Sequence, residues 1–395
     1  MSSLALVSLS VGSWAHGLVG SVFIWFIAAW WGLYVLFAVL NALLLPRLSA
    51  KQPRGVLPRL SVIIPARNEE VGIERAVEAH CTQDYPWLEV VVVDDGSTDA
   101  TPQILARLQQ SFANLIVLQG EPPKKGWLGK PHAQMQGVKA ATGVLILFVD
   151  ADVVYSPGVY RRAVGEMMER ELDMLLLLST LEGRGLEPLA LSFLDTFSFY
   201  ISPTFLANVP FFRWVAFGAG SGNLVRRDAF DAAGGMERIR SEVVDDVAMG
   251  RMMKALRGRF RVVFSHGEIR VRMYQGFRAC IEGFTKNCFA AFGFRWWYAL
   301  PSMLAYVILH LAPPLALATA LLAPGLRELL LPAAFATAAE VLLNLWACWW
   351  SRQALWVALL APLRALVWFY ILCRSMGRYY RKGVVWRGRT YGKTP

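Results

Sequence analysis

The sequence predicts an α/β domain with a Rossmann-like, mostly parallel sheet, set between apolar helices at the two ends of the chain. Apolar runs crowd the first 45 residues and residues 298–374, and 55% of the 395 residues are hydrophobic. Between these runs, continuously apolar segments alternate with amphipathic helical segments. That alternation is typical of a parallel sheet covered on both faces.

The N-terminal part, residues 1–55, is predicted to be a membrane anchor with a basic linker. Residues 19–45 carry no charge, and about 20 apolar residues suffice to cross a bilayer. The segment lacks the charged start and cleavage site of a signal peptide, so we interpret it as uncleaved. Basic residues follow it at Arg47, Lys51, Arg54 and Arg59. Because basic residues stay on the cytosolic side, the central domain, residues 56–290, is predicted to be cytosolic.

The C-terminal part, residues 298–374, is predicted to hold transmembrane helices. It has apolar stretches at about residues 298–324, 329–350 and 354–374. Three full spans would leave the basic tail, residues 375–395, outside, against its charge. One stretch is therefore expected to be re-entrant or interfacial, and Pro313–Pro314 makes the first a candidate. Buried charge is costly in a membrane, so Glu340 and Arg364 are expected to pair, or Arg364 to reach the surface.

Composition narrows the classes of function. The net charge of +11 does not require nucleic acid, because much of the excess lies beside apolar runs. The five cysteines show neither a CxxC pair nor a metal-finger spacing, which indicates reduced thiols. No GxGxxG follows the first predicted strand, which argues against a nicotinamide-binding protein.

The central domain has acidic residues after two predicted strands. Strand-like runs end at residues 70, 99, 120 and 153, and residues 71–83 and 101–112 have helical spacing. In parallel sheets, ligands bind at the carboxyl ends of the strands. Asp150 and Asp152 lie there and point the same way in an extended segment. Carboxylates would repel a nucleotide diphosphate unless Mg²⁺ or Mn²⁺ lies between them.

Four motifs carry a family resemblance: PARNEE (65–70), VVVDDGSTD (91–99), FVDAD (148–152) and VVDDVAMG (243–250). In this order they resemble the family 2 glycosyltransferases of the GT-A fold, from about residue 58 to 290. GWLGKPHAQMQG (126–137) is similar to a segment of hopanoid-associated and carotenoid-type membrane enzymes, relatives of the ceramide glucosyltransferases. The ending VVWRGRTY (384–391) resembles theirs as well.

The resemblance implies a role for each matching residue. The uracil or ribose of the donor would lie against Asp95 and a first loop with Pro65, Ala66, Arg67 and Glu69. Lys130 would face the base or diphosphate, Asp150 the ribose or sugar, and Asp152 would hold the metal. Asp246 would be the general base, with Asp245 as its rival. A single base without a nucleophilic carboxylate predicts inversion, although acids at a helix N-terminus can be merely structural.

Other site residues remain open between two interpretations. His266 is either a further metal ligand or an ordinary strand-end histidine. Gly220 and Asn223 lie in a glycine-rich segment that either approaches the acceptor or forms a turn. Gln275 and Arg278 could bind diphosphate or acceptor. They match a Q/RxxRW signature whose tryptophan is missing here, which argues against processive polymer synthesis.

Two aromatic segments, residues 189–217 and 284–297, are predicted to be either a lipid-facing entrance or internal core. The leading functional hypothesis is inverting transfer from a UDP-sugar to the hydroxyl of a hopanoid, carotenoid or ceramide-like lipid in a bacterial-type inner membrane. One alternative is a polyprenyl-phosphate glycosyltransferase or a short polysaccharide synthase. Another is a non-catalytic membrane scaffold or transporter. The sugar, the lipid and the oligomeric state remain open.

Overall fold

A computed structural model of the chain describes residues 3–51, 53, 55–257, 259–381, 384–386 and 389–391. Arg54 and residues 382–383, 387–388 and 392–395 of the predicted basic tail lie outside the described residues. The first part of that tail, residues 375–381, forms the end of the last helix rather than a separate segment.

The strands are β1 (Leu60–Ala66), β2 (Leu88–Asp94), β3 (Leu115–Gln119), β4 (Leu145–Phe148), β5 (Val153–Tyr155), β6 (Met174–Leu178), β7 (Thr180–Leu181), β8 (Asn223–Arg226), β9 (Phe260–Phe264), β10 (Ile269–Val271), β11 (Val384–Trp386) and β12 (Arg389–Tyr391). The helices are α1 (Ser3–Leu44), α2 (Ile73–Cys81), α3 (Thr101–Ser111), α4 (Gly129–Ala140), α5 (Val159–Glu169), α6 (Pro188–Thr196), α7 (Arg227–Ala232), α8 (Gly235–Arg238), α9 (Asp245–Arg257), α10 (Phe277–Ala291), α11 (Trp296–Leu322), α12 (Leu330–Trp350), α13 (Trp356–Leu359) and α14 (Ala361–Arg381). A π-helical segment, Phe197–Ile201, follows α6, and short 3-10 segments cover Thr204–Asn208 and Pro324–Leu329.

The main sheet has the strand order β3-β2-β1-β4-β8-β6-β9 in the described part of the chain. Neighbouring strands are parallel except where β8 pairs with β4 and β6. The central strands are buried on both faces, as their continuously apolar sequences require. The predicted α/β fold with a mostly parallel sheet is confirmed. A smaller sheet, in the order β5-β10-β7, extends it.

Among the described residues, three helices are long and apolar enough to cross a membrane: Gly20–Leu44, Trp296–Leu322 and Pro324–Trp350. The first C-terminal stretch is thus one continuous helix despite Pro313–Pro314, and the expectation that it would be the re-entrant one is wrong. The third stretch forms α13 and the amphipathic α14, and neither is a candidate span. If both C-terminal candidates cross, the chain would return to its starting side, which would remove the conflict with the basic tail.

The predicted pairing of Glu340 with Arg364 is wrong. Glu340 Oε1 instead lies 2.7 Å from Nδ1 of His310. Arg364 is fully buried rather than directed to the surface, and its Nη2 donates to Asn344 Oδ1 at 2.7 Å. The same guanidinium contacts the hydroxyl of Tyr200, which follows α6 and packs between the apolar helices. The segment after α6 therefore adds one polar partner, Tyr200, to those that the C-terminal helices supply.

The carboxyl ends of β6, β7 and β9 adjoin the ends of the apolar helices. The Phe264 amide at the end of β9 donates to the carbonyl of Pro46, just after α1, at 2.9 Å. Gln353, just after α12, donates its side-chain amide to the carbonyl of Leu181 at 2.7 Å. Because β1, β2 and β4 run in the same direction as β6 and β9, their acidic ends lie at the same edge of the sheet.

Asn41 fastens the end of α1 to the segment that follows α6. Its side-chain amide donates to the carbonyls of Phe199 and Ser202, each at 2.8 Å, and its Oδ1 accepts from the Phe205 amide at 2.8 Å. The side chain is almost fully buried. Three backbone groups thus share one side chain as a hydrogen-bond partner.

We expect Asn41→Ala to lower the free energy of unfolding, because each buried backbone group left without a partner costs roughly 1–3 kcal/mol. Thermal unfolding of the detergent-solubilised chain measures the effect. Asn114→Ala is the control, since it removes one half-buried bond to the carbonyl of Cys81. Equal decreases in the unfolding temperature of the two variants would contradict the role of Asn41 in linking α1 to the segment after α6.

Candidate active site

Lys130 lies at the centre of the acidic cluster. It occupies the first turn of α4, and its Nζ lies 2.7 Å from Asp150 Oδ1 and 3.2 Å from Asp245 Oδ1. One turn further along α4, Gln134 donates its side-chain amide to Asp245 Oδ2 at 3.1 Å. The nearby carboxylates raise the pKa of Lys130 further above its ordinary value, against the opposing effect of burial. The amine is therefore a fixed positive charge.

Asp246 is the neighbouring acid at the start of α9, and its side chain has a different environment. Its Oδ1 accepts from the amide of Val247 at 2.8 Å. Burial, and next the charge of Asp245, raise the pKa of Asp246 to about 6, and Lys130 opposes this shift. Since Lys130 and Gln134 occupy both oxygens of Asp245, Asp246 is the acid of this pair without an ion-pair contact in the described structure.

Asp152 is a further acid of the cluster, and its side chain is half-buried. Burial, followed by the charges of Asp150 and Glu69, raises its pKa to about 7. Its Oδ1 is buried and has no hydrogen-bond partner among the described residues. A buried carboxylate oxygen without a donor, beside other carboxylates, fits a hard divalent cation. The described part of the chain has no group of three or more His, Cys, Asp or Glu that could hold a metal. A cation here would therefore take further ligands from substrate phosphates.

The predicted first loop and Asp95 are brought together by backbone contacts. The Asp95 amide donates to the carbonyl of Ala66 at 2.8 Å, and Arg67 donates to the carbonyl of Asp95. The Glu69 amide donates to Thr101 Oγ1 at 2.8 Å at the start of α3. Pro65 precedes this loop at the end of β1. These contacts hold the loop next to the end of β2.

Gly218 and Gly220 allow backbone to touch two of the acids. A β-carbon on Gly220 would lie 2.0 Å from Asp150 Oδ2, and one on Gly218 would lie 1.8 Å from the carbonyl oxygen of Asp246. Asn223 fixes the segment, because its Nδ2 donates to that same carbonyl at 3.3 Å. Glycine is therefore required at positions 218 and 220 because the backbone lies so close to these acids, and not because of a left-handed backbone conformation.

The structure does not bring every predicted site residue to the cluster. The ring of His266 packs against Phe264 and Trp350, with ring centroids 4.7 Å apart in each case. Burial lowers the pKa of His266 to about 4, and this position favours an ordinary strand-end histidine. Gln275 and Arg278 are exposed at the start of α10, and no hydrogen bond joins them to the acids in the described structure.

Gln134 is the site residue that the motifs did not single out. Its spacing of four from Lys130 puts both side chains on one face of a helix, which is the signal that could have revealed it. Its partner Asp245 lies 111 residues away in sequence, so the contact itself could not be predicted.

Residues 61–234 match the family model described as Glycosyl transferase family 2. This range contains the first loop, Asp95, Lys130, Asp150 and Asp152. The chain therefore contains a domain that matches glycosyl transferase family 2, as the motifs predicted.

Two curated relatives share part of the chain. A β-monoglucosyldiacylglycerol synthase of Nostoc sp. is 34% identical over 148 residues, covering 37% of this chain and 30% of that protein. A 4,4'-diaponeurosporenoate glycosyltransferase of Staphylococcus aureus is 29% identical over 241 residues, covering 58% of this chain and 60% of its own. The chain therefore spans less than two thirds of either relative. The predicted resemblance to carotenoid-type enzymes is confirmed.

Among solved structures, a mannosyltransferase of Pyrobaculum calidifontis in complex with GDP-Man and Mn²⁺ is similar to this chain. The identity is 21% and the TM-score 0.48, with 90% of this chain and 98% of that chain covered.

We expect Gly218→Ala to destabilise the protein by roughly 1–3 kcal/mol or more, because overpacking against a backbone carbonyl forces a shift. Thermal unfolding measures the change. Gly377→Ala on α14 is the control, since its β-carbon would meet nothing within 4 Å. A Gly218→Ala variant as stable as the control would show that the glycine segment is not seated on α9.

Proposed function

We propose that the chain transfers a sugar from a nucleotide-sugar donor, a UDP-sugar in the first instance, to a hydroxyl of a membrane lipid. The observation that carries the proposal is the cluster of Lys130 with Asp150, Asp152, Asp245 and Asp246 at the sheet edge that adjoins the ends of the apolar helices. The names of the two curated relatives, a glycolipid synthase and a carotenoid glycosyltransferase, support a lipid-type acceptor.

The donor would lie between the first loop and the acids. Arg67 and Asp95 would bound its nucleoside end, and Lys130 would face the diphosphate. Asp150 would contact the ribose or sugar, and Asp152, with its buried oxygen lacking a donor, would hold Mg²⁺ or Mn²⁺. Such an ion neutralises charge on a leaving diphosphate when bound. His266 has no part in this arrangement.

Asp246 would act as the general base. A pKa of about 6 leaves it largely ionised near neutral pH and still basic enough to take a proton. The lipid hydroxyl oxygen would attack the anomeric carbon while the bond to the diphosphate breaks, and the hydroxyl proton would pass to Asp246. With no second carboxylate acting as nucleophile, this direct displacement inverts the anomeric configuration. Asp245 is less suited, since Lys130 and Gln134 hold both of its oxygens.

The two C-terminal crossings would place the catalytic domain and the tail on one side of the membrane. The basic residues after α1 favour the cytosolic side of a bacterial-type inner membrane. A polyprenyl-phosphate acceptor is the alternative that would need no base, because a phosphate is already ionised. If the chain were instead a non-catalytic scaffold or transporter, the proposed donor site would bind no nucleotide.

We expect UDP to bind the purified chain in a Mn²⁺-dependent manner, and we expect Asp152→Asn to abolish the metal dependence. Because the Asp152 carboxyl must lose its proton to bind a cation, the apparent Mn²⁺ affinity should rise with pH by up to about tenfold per unit and level off above about pH 7. Isothermal titration measures both. Asp231→Asn, at an exposed position on α7, is the matched control.

Metal dependence retained in Asp152→Asn would remove that residue from the site. If UDP does not bind, GDP is titrated next. Failure of both nucleotides would favour the scaffold alternative over catalysis.

At saturating Mn²⁺, we expect the transfer rate to rise with pH up to about 6 and to be constant above it, because the base must be ionised. Asp246→Asn should lower the rate by about 10²–10⁴-fold, the usual contribution of a general base, with UDP binding retained. Initial rates with a hydroxylated lipid acceptor give the profile, and Asp245→Asn is the adjacent comparison. A larger loss in Asp245→Asn would reverse the assignment, and full activity in both variants would show that neither acid is the base.

A further inference from the structure

Residues 209–217, which we call the aromatic loop, expose large rings beside the active site. The side chains of Phe211 and Trp214 are 75% and 71% exposed. Their rings contact each other and that of Phe212, with centroids 5.2–6.1 Å apart. The exposed Arg213 lies among them. Clustered exposed rings of this kind mark an interaction surface rather than ordinary surface variation.

The aromatic loop joins the end of an apolar helix to the catalytic acids. On its N-terminal side, Ser202 and Phe205 are bonded to Asn41, close to the end of α1. On its C-terminal side, Gly218 and Gly220 touch the backbone of Asp246 and the carboxylate of Asp150. A group that enters along this loop is therefore led from the helix end to the proposed base.

Lys254 forms hydrogen bonds with backbone carbonyls at both ends of the aromatic loop. This side chain of α9 is fully buried, and its Nζ donates to the carbonyls of Ala207 at 2.7 Å and Val215 at 2.6 Å, with that of Leu206 at 3.4 Å. A buried ammonium group is costly unless its protons are hydrogen-bonded. The two ends of the loop are therefore fixed to the helix that carries Asp246.

We propose that the aromatic loop inserts into the lipid–water interface and that Lys254 is the positioning residue that holds it there. This inference rests on the proposed function for its lipid acceptor, although insertion itself does not require catalysis. Aromatic rings together with arginine are the side chains that anchor at such interfaces. Continuity with the end of α1 favours a lipid surface over a protein partner.

Insertion is tested by spin labels on the full chain in phospholipid vesicles. Cys373 is the exposed cysteine of the described chain, and Cys81, Cys280, Cys288 and Cys348 are buried, so Cys373→Ser provides the background. A label introduced by Trp214→Cys should be accessible to dissolved oxygen and protected from a water-soluble nickel chelate. Trp87→Cys is the control, because Trp87 is 53% exposed and precedes β2 at the opposite edge of the sheet.

Equal chelate accessibility at the two labels would overturn the proposal. Dipolar coupling between Trp214→Cys labels of different molecules would do the same, because it would show a second copy on the loop. Neither readout depends on activity, so failure here is distinguishable from failure of the proposed function.

The positioning role of Lys254 is tested by Lys254→Met, which keeps the length of the side chain and removes its donors. We expect the KM for a lipid acceptor in vesicles to rise roughly tenfold or more in this variant and in Trp214→Ala, a factor typical of losing one buried apolar ring. UDP binding should be unchanged. Lys139→Met, at an exposed position on α4, is the matched control. Equal losses in UDP binding and lipid transfer would show that Lys254 only stabilises the fold.

Discussion

The ammonium group of Lys130 allows this site to contain so many acids. Asp150 follows a central strand and Asp245 begins a helix, and both carboxylates contact the same nitrogen. Without that cation, the two acids and their neighbours Asp152 and Asp246 would repel one another at a partly buried edge. Lys130 belongs to α4, the helix that precedes β4. Its two ion pairs therefore link α4 to the end of β4 and to the start of α9.

A second constraint is the direction of the strands. In the described sheet, β8 is the strand that runs against the others, so the remaining strands present their carboxyl ends to one edge. The ends of α1 and α12 meet that same edge through Pro46 and Gln353. The proposed donor site at the strand ends would therefore lie close to the helix ends as a consequence of strand direction. The segment after α6 fills the junction and brings Tyr200 to the buried Arg364.

The sequence predicted what is encoded locally. Apolar runs that end in acids identified β2 and β4, and the motifs named the residues now found around Lys130. The apolar composition of α14 suggested a transmembrane helix, but α14 is amphipathic. One of its faces is buried and includes Arg364, whereas the opposite face exposes Leu366 and Tyr370. The partner of Glu340 was missed because His310 lies 30 residues away on another helix. Contacts between distant elements leave no mark in a single sequence.

The division of labour between the two adjacent acids of α9 follows from which of them Lys130 and Gln134 reach. Asp245 is buried and held on both oxygens, whereas Asp246 is half-buried and has a raised pKa. Two adjacent acids in different surroundings can take separate roles, one structural and one in proton transfer. Lys254 lies eight residues beyond Asp246, or about 12 Å along a helix that rises 1.5 Å per residue. The proposed base Asp246 and Lys254, which holds the aromatic loop, therefore lie on the same helix. A lipid bound at the loop would lie at a fixed distance from the base.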